Sequence, residues 1–249
     1  MRFGICNLSI VPIRSESSDK SEQISQIIYG EVFSILEETT KWSKIKLNYD
    51  NYIGWIDNKQ FVEIEEVNFN NLTTEPAIYS YDLVEFVENL NHELTPIPIG
   101  SSLNGLKILN HRYDGNKISG TKDKSHIIST AMRFLNSPYL WGGRTPFGID
   151  CSGFVQMVYK LNGYKLERDS YQQAKLGTAL GFIEESEPGD LAFFDNEEGR
   201  ITHVGIIMEN NKIIHASGKV RIDGLDQTGI YNSQTKSHSH KLRVIKKII

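Results

Sequence analysis

Short segments in which apolar and polar residues alternate dominate the first part of the chain. Three of them, Glu31–Leu36, Trp42–Leu47 and Tyr52–Ile56, have the length and the β-branched or aromatic content of strands. The turn-forming run Asn48–Asn51 separates the last two. The pattern predicts a small barrel of short strands over residues 1–64.

A weaker pattern of the same kind follows over residues 65–122. Thr95–Leu103 and Gly105–Asn110 contain further strand and turn material. We interpret this stretch as a second small barrel.

The hydrophobic period becomes helical after residue 122, where we place the start of a domain over residues 123–249. A first helix is predicted over Ser125–Leu135, where the apolar positions on one face are Ile127, Ile128, Ala131, Phe134 and Leu135. A second, amphipathic helix is predicted after Asp150, where they are Phe154, Val155, Val158 and Tyr159. Thr202–Ile207 and Lys212–Gly218 then alternate as strands, and the turn Glu209–Asn211 makes a hairpin of them. Helices beside a sheet predict an α+β fold class.

The second helix begins with a cysteine. Asp150 is placed to cap the first turn, which puts Cys151 at the helix N-terminus. Unpaired backbone N–H groups and the helix dipole favour a thiolate there, so we expect a lowered thiol pKa. The same N–H groups are suited to receive an oxyanion. Cys151 is therefore the candidate nucleophile, whereas Cys6, in an apolar run, is expected to be a small buried residue.

Two histidines in the predicted hairpin are candidates for the base that a nucleophilic cysteine needs. His203 and His215 are an even number of residues apart, which favours one face of the sheet. We assign His203 as general base and His215 as the group that orients it. The other histidines lack such a setting and are interpreted as surface or incidental residues: His92, His111, His126, His238 and His240.

In this order, the segments resemble the NlpC-type, papain-like cysteine peptidases of bacterial cell-wall metabolism. The motifs that carry the resemblance are Tyr139–Gly143, Asp150–Gly153, Arg168–Gln173, Pro188–Phe194, Thr202–Ile206 and Ile214–Ser217. The resemblance implies a helix carrying Cys151 packed on an antiparallel sheet carrying the histidines. Residues 21–31 and Tyr52–Trp55 are similar to a bacterial SH3-like domain. That similarity implies SH3-like barrels over residues 1–64 and 65–122.

Within that family, an SH3-like domain before the catalytic half resembles enzymes that recycle murein peptides. These cut the γ-D-glutamyl bond to lysine or diaminopimelate in peptides with a free N-terminal L-Ala, and release L-Ala-γ-D-Glu. The resemblance implies substrate contacts from Tyr139, Asp150, Ser152, Asp169 and Ser170, with Glu22 and Tyr52 of the barrel reading the free ammonium. Excluding blocked peptides through an unpaired charge is a strong source of specificity.

Three other functions remain open at this point. A secreted hydrolase with the same triad would cut intact peptidoglycan, and a non-catalytic protein would bind the wall through its barrels. A papain-like acyltransferase or amidase would leave the γ-D-glutamyl bond intact. The residues do not distinguish lysine from diaminopimelate after the D-glutamate.

Composition narrows the possible partners. A net charge of −4 over 249 residues implies no basic surface for nucleic acid, and no apolar run reaches the ~18 residues of a membrane span. The Cys and His residues lack the short paired spacings of structural zinc sites, so we expect no metal, and nothing indicates a cofactor. The first residues lack a signal-peptide h-region. We therefore expect a monomer in the cytoplasm, or in the periplasm or outside the cell if a leader peptide was removed, whose partner is its murein peptide substrate.

Overall fold

The computed structural model describes residues 1–249, which divide into two compact units, Met1–Gly120 and Thr121–Ile249. The first seven strands of the N-terminal unit are β1 (Arg2–Ile5), β2 (Ile10–Arg14), β3 (Gln23–Ile28), β4 (Val32–Glu38), β5 (Trp42–Leu47), β6 (Ile53–Asp57) and β7 (Val62–Ile64). They form one antiparallel sheet in the order β3-β2-β6-β5-β4-β1-β7. The strands β4, β5 and β6 confirm the three predicted strands to within two residues.

Alternation along these strands builds the core of the sheet. Alternate residues turn to one face, where they form a cluster of Cys6, Val11, Ile13, Ile27, Phe33, Ile35, Ile45, Leu47 and Ile56. The Cys6 thiol is completely buried, and burial raises its pKa to about 12. Its expected role as a small buried residue is confirmed.

The rest of this unit begins with a helix that the sequence pattern did not predict. Helix α1 (Glu66–Thr74) buries none of its residues, so it has no apolar stripe for periodicity to detect. It is followed by the strands β8 (Ile78–Ser80), β9 (Val84–Glu88), β10 (Leu94–Pro98), β11 (Arg112–Tyr113) and β12 (Lys117–Ser119). They form a three-stranded sheet, β10-β9-β11, and a two-stranded one, β12-β8.

The region after α1 shares a core with the seven-stranded sheet. Tyr29, next to β3, packs with Val87, Ile97, Leu103 and Tyr113, and its hydroxyl lies 2.8 Å from Nδ1 of His111. Both predicted barrels thus fall inside one compact unit. The SH3-like character of residues 65–122 stays a prediction.

The C-terminal unit combines three α-helices and one 3₁₀ turn with one large sheet and a two-stranded one. The helices are α2 (His126–Met132), α3 (Cys151–Leu161) and α4 (Ser170–Gln173), and the 3₁₀ turn is Ile183–Glu185. The strands are β13 (Arg144–Thr145), β14 (Gly148–Ile149), β15 (Thr178–Leu180), β16 (Leu191–Asp195), β17 (Ile201–Met208), β18 (Lys212–Ser217), β19 (Lys219–Leu225), β20 (Gly229–Asn232) and β21 (Ser237–Lys247). The hairpin of β17 and β18 confirms the predicted one.

The large sheet runs β15-β21-β16-β17-β18-β19-β20, and β21 pairs with β20 as well. Because β21 is 11 residues long, its first half pairs with β20 and its second half with β16 and β15. The sheet therefore closes on itself. One cluster inside it contains Ile183, Ala192, Phe194, Ile207, Ile213, Leu225, Ile230 and Ile245.

Helix α3 packs against β17 and β18 and is buried along its whole length, which corrects the predicted amphipathic helix. Its polar residues have buried partners instead of solvent. Gln156 accepts from Nε of Arg144 at 3.1 Å and donates to the Leu166 carbonyl at 3.2 Å. Such pairing removes most of the cost of burying an amide. No helix in either unit is long and apolar enough to cross a membrane.

Candidate active site

The turn before α3 places Cys151 by close backbone packing. A Cβ on Gly153 would lie 2.3 Å from the Gly143 carbonyl oxygen, so only glycine lets that turn rest against the first turn of the helix. Asp150 is the N-cap, as predicted, and accepts from the Gly153 N–H at 2.7 Å. Cys151 is thereby held at the first helical position.

A buried ion pair fixes the Asp150 cap. Arg168 donates to both carboxylate oxygens of Asp150, at 3.0 and 2.6 Å, and to Oγ of Ser152 at 3.0 Å. The Gly142 N–H adds a further bond to Asp150 at 2.9 Å. Five donors, with Gly153 and the 3.3 Å contact from Ser152 Oγ among them, now surround this carboxylate. Asp150 therefore anchors the cysteine turn and has little capacity left to accept from a ligand.

Arg168 was not among the predicted site residues, although it opens the Arg168–Gln173 motif. An arginine is rarely buried unless it is paired, and sequence alone does not name its partner. The structure identifies that partner as the residue next to Cys151.

The Cys151 thiol lies against strand β17. Its Sγ is 3.9 Å from the carbonyl oxygen of Thr202, and the backbone N–H of Val204 faces it as well, so the thiol contacts the backbone on both sides of His203. Burial, and then the Asp150 carboxylate, raise the Cys151 pKa to about 12. Donors on Val204 and Ser152 and the Arg168 charge oppose that rise without cancelling it.

The predicted lowering of the Cys151 pKa is therefore wrong. The prediction considered only the helix N-terminus, which lowers the thiol pKa, whereas desolvation of the sulfur raises this pKa by more. Because the thiol pKa is raised, the base has to take the thiol proton as the sulfur attacks.

Hydrogen bonds join four side chains into a line behind the thiol. Nε2 of His203 lies 2.9 Å from Nδ1 of His215, and Nε2 of His215 lies 3.0 Å from Oδ2 of Asp223. Arg221 holds the other carboxylate oxygen of Asp223 at 2.9 Å through Nη2. His203 and His215 are both buried, as is the Asp223 side chain.

Strand register explains why these side chains meet. Gly205 lies opposite His215, and Arg221 lies opposite His215 on the next strand, so His203 and Asp223 are its diagonal neighbours on the same face. A Cβ on Gly205 would come within 2.9 Å of the His215 Cβ. Glycine at this position leaves room for the imidazole of His215.

His240 also belongs to this cluster, which corrects its interpretation as an incidental residue. It lies on β21, and its ring stacks on His203 with centroids 4.1 Å apart and 22° between the planes. Burial, followed by the neighbouring His215, lowers the His240 pKa to about 4. Burial also lowers the His203 pKa well below its usual range, helped by His240 and His215. The His203 imidazole is therefore neutral and able to accept a proton.

Asp223 and His240 lie on strands that the sequence pattern did not connect to the site. Asp is depleted in strands, so an aspartate inside Lys219–Leu225 was the one feature of the sequence that could have indicated a functional role for Asp223. No local pattern indicates that β21 brings His240 back beside β16 and β17.

The predicted substrate residues of this unit lie around the cysteine turn. Tyr139 is 37% exposed, and burial, then Cys151 and Asp150, raise its pKa to about 12, which places its hydroxyl near the thiol. Ser152 is the second residue of α3, and Ser170 is the first of α4. Asp169 caps α4 in a capping box with Gln172, so it has a structural role as well. Their contact with substrate stays a prediction.

Glu22 and Tyr52 lie in the N-terminal unit. Glu22 is exposed just before β3, and Tyr52 is half-buried against the core of the seven-stranded sheet. Their role in binding the free ammonium group of the substrate stays a prediction. No group of three or more His, Cys, Asp or Glu residues in either unit is arranged to hold a metal ion.

Comparison with known proteins identifies both parts of the chain. A family model of the NlpC/P60 family matches residues 136–240, and one of the bacterial dipeptidyl-peptidase SH3 domain matches residues 13–61. The C-terminal unit is an NlpC/P60 domain. With its SH3 domain, the chain is a cysteine peptidase of this type, and the predicted α+β fold class is confirmed.

Relatives of this NlpC/P60 peptidase match either most of its length or its catalytic half. It is 28% identical over 235 residues to a γ-D-glutamyl-L-lysine dipeptidyl-peptidase of Bacillus subtilis, covering 86% of this chain and 75% of that one. It is 39% identical over 104 residues to the "Probable endopeptidase p60" of Listeria seeligeri, covering 41% and 20%. A crystal structure of an NlpC/P60 family protein from Bacillus cereus shares the fold, with a TM-score of 0.82, 19% identity and 99% of each chain covered.

Proposed function

We propose that this NlpC/P60 peptidase hydrolyses the γ-D-glutamyl bond to lysine or diaminopimelate in murein peptides with a free N-terminal L-Ala, and releases L-Ala-γ-D-Glu. The observation that carries the proposal is the joint similarity to the B. subtilis dipeptidyl-peptidase, which extends through the SH3 domain as well as the catalytic half. Recycling of wall peptides by a cytoplasmic monomer is part of the same proposal.

The geometry supports acyl transfer through Cys151. As the sulfur attacks the γ-carbonyl carbon of D-glutamate, the thiol proton moves to the neutral His203. The carbonyl π electrons move to oxygen, where backbone N–H groups in the first turn of α3 stabilise the charge. His203 then protonates the leaving amine, and water hydrolyses the thioester to free the dipeptide.

A second candidate is hydrolysis of the intact wall. The observation that bears on it is the higher identity, 39%, between the catalytic half and the L. seeligeri protein, which is described as a probable endopeptidase. That similarity covers 41% of this chain and leaves its SH3 domain unmatched, so we rank this function second.

Hydrolysis of L-Ala-γ-D-Glu-L-Lys beside its N-acetylated form distinguishes the two functions. Mass spectrometry of the products is expected to show L-Ala-γ-D-Glu released from the free peptide alone. Equal cleavage of both peptides, together with solubilised fragments from purified peptidoglycan, would favour the wall hydrolase. Repeating the assay with diaminopimelate in place of lysine measures the preference after the scissile bond.

A further inference from the structure

The line of hydrogen bonds behind His203 ends on a carboxylate that belongs to no predicted triad. The Asp223 side chain is 4% exposed and lies 3.0 Å from Nε2 of His215 and 2.9 Å from Nη2 of Arg221. Nε of Arg221 is 2.7 Å from the same carboxylate. Although burial opposes ionisation, the bonds from His215 and Arg221 lower the Asp223 pKa. Asp223 is therefore an ionised acceptor with no proton to donate.

The Asp223 carboxylate constrains the proton positions along this line. Nε2 of His215 faces the carboxylate and must donate to it, so Nδ1 of His215 accepts a hydrogen bond as long as the ring holds a single proton. Nε2 of His203, 2.9 Å from that Nδ1, must then be a donor. The remaining nitrogen of His203, Nδ1, carries a lone pair.

We propose that Asp223 is a positioning residue that acts through His215 to fix the tautomer of His203 in which Nδ1 is free to take the Cys151 proton. In the opposite tautomer Nδ1 would already be protonated and the thiol would have no acceptor. The arrangement extends the role of the orienting carboxylate in a nucleophile–base–orienter triad by one imidazole. The inference rests on Cys151 and His203 acting as in the proposed function, but not on the identity of the substrate.

The charged and titratable groups around this line are few. His203 contacts His215 on β18 and His240 on β21, the Cys151 thiol lies against the backbone on both sides of His203, and Asp223 contacts His215 and Arg221. His240 stacks on His203 and forms its own hydrogen bond with Ser239, 2.8 Å away, so it is not part of the line.

The first test is the variant Asp223→Asn with the tripeptide as substrate. We expect kcat to fall about 10- to 100-fold, as when the carboxylate partner of a metal-bound histidine is removed, and by less than the ~10⁴-fold loss for a carboxylate bonded directly to the base. KM is expected to stay unchanged because Asp223 does not contact substrate. Asp223→Glu, which retains the charge, is expected to recover part of kcat.

Asp226→Asn is the matched control. Asp226, in the turn after β19, accepts from Nε2 of His238 on β21 at 2.8 Å, outside the line that leads to His203. The control should retain the kcat of the unmodified chain.

A readout without substrate separates this inference from the proposed function. Iodoacetamide modification of Cys151, followed by peptide mapping that separates it from Cys6, measures the reactivity of the nucleophile directly. We expect Asp223→Asn to slow this reaction across neutral pH and Asp226→Asn to leave it unchanged. If the tripeptide is not cleaved but alkylation still depends on Asp223, the proposed substrate is wrong and the inference stands.

Nitrogen NMR of the unmodified protein makes the test independent of how the variant folds. The expected spectrum shows an unprotonated Nδ1 and a protonated Nε2 on His203 at neutral pH. A proton on Nδ1, or an Asp223→Asn variant with unchanged kcat and alkylation rate, would overturn the inference.

Discussion

Replacing Arg168 by Met isolates the ion pair that holds the cysteine turn. The Arg168 and Asp150 side chains are 1% and 7% exposed, and the substitution removes the two bonds from Arg168 to the carboxylate and its bond to Ser152. Asp150 would retain the Gly142 and Gly153 N–H groups but lose its counter-charge. Breaking a buried pair in this way costs about 3 to 5 kcal/mol.

That loss is large beside the ~5 to 15 kcal/mol that stabilises a typical domain. Hydrogen exchange of peptides from α3, measured by mass spectrometry in native buffer, reports this loss of stability for the C-terminal unit alone. Exchange through opening of the helix is expected to accelerate by about two to four orders of magnitude.

Two further variants test whether the effect of Arg168→Met comes from the buried ion pair. Arg112→Met removes an exposed partner of Asp114, 71% against 70% exposed, and is expected to leave α3 exchange unchanged. Adding Asp150→Asn to Arg168→Met removes the unpaired charge and should recover part of the loss. A change below about 1 kcal/mol for Arg168→Met would refute the view that this pair anchors the turn.

Three other substitutions test separate parts of the structure. Gly153→Ala is expected to lower peptidase activity and stability together, because its Cβ would lie 2.3 Å from the Gly143 carbonyl oxygen. Circular dichroism during heating measures the stability, and the tripeptide assay measures the activity. Wild-type values for both would contradict the packing argument. His240→Gln is expected to flatten the loss of stability in acid. The pKa of His240 is lowered from 6.5 to about 4, so between these values the unfolded state binds more protons than the folded one, and the free energy of unfolding falls as the pH drops. Urea titrations at pH 7, 5.5 and 4 measure this fall. The same fall in the variant and the unmodified protein would show that His240 does not contribute to it. Glu22→Gln is expected to narrow the rate difference between free and N-acetylated tripeptide, and an unchanged ratio would remove Glu22 from substrate recognition.

Local chemistry made part of this site predictable from sequence. The Asp150 cap depends on residues within one turn of it, and the hairpin of β17 and β18 depends on alternation around a short turn. Strand β5 was predicted at its observed bounds for the same reason. These features follow from contacts between residues close in sequence.

Long-range contacts account for what the sequence analysis missed. Asp223 reaches His215 through the register of a third strand, and His240 reaches His203 because β21 closes the sheet. The Cys151 pKa was predicted in the wrong direction because the desolvation that raises it comes from the folded surroundings of the thiol. Helix α1 has no buried face, so periodicity had nothing to detect.

Trapping the acyl-enzyme tests the central claim most directly. The protein is mixed with L-Ala-γ-D-Glu-L-Lys, quenched in acid during turnover and digested for mass spectrometry. The account predicts the mass of the L-Ala-γ-D-Glu acyl group on the peptide that contains Cys151, none on the peptide with Cys6, and no turnover by Cys151→Ala. Release of the dipeptide by Cys151→Ala, or an acyl group on any other residue, would contradict it.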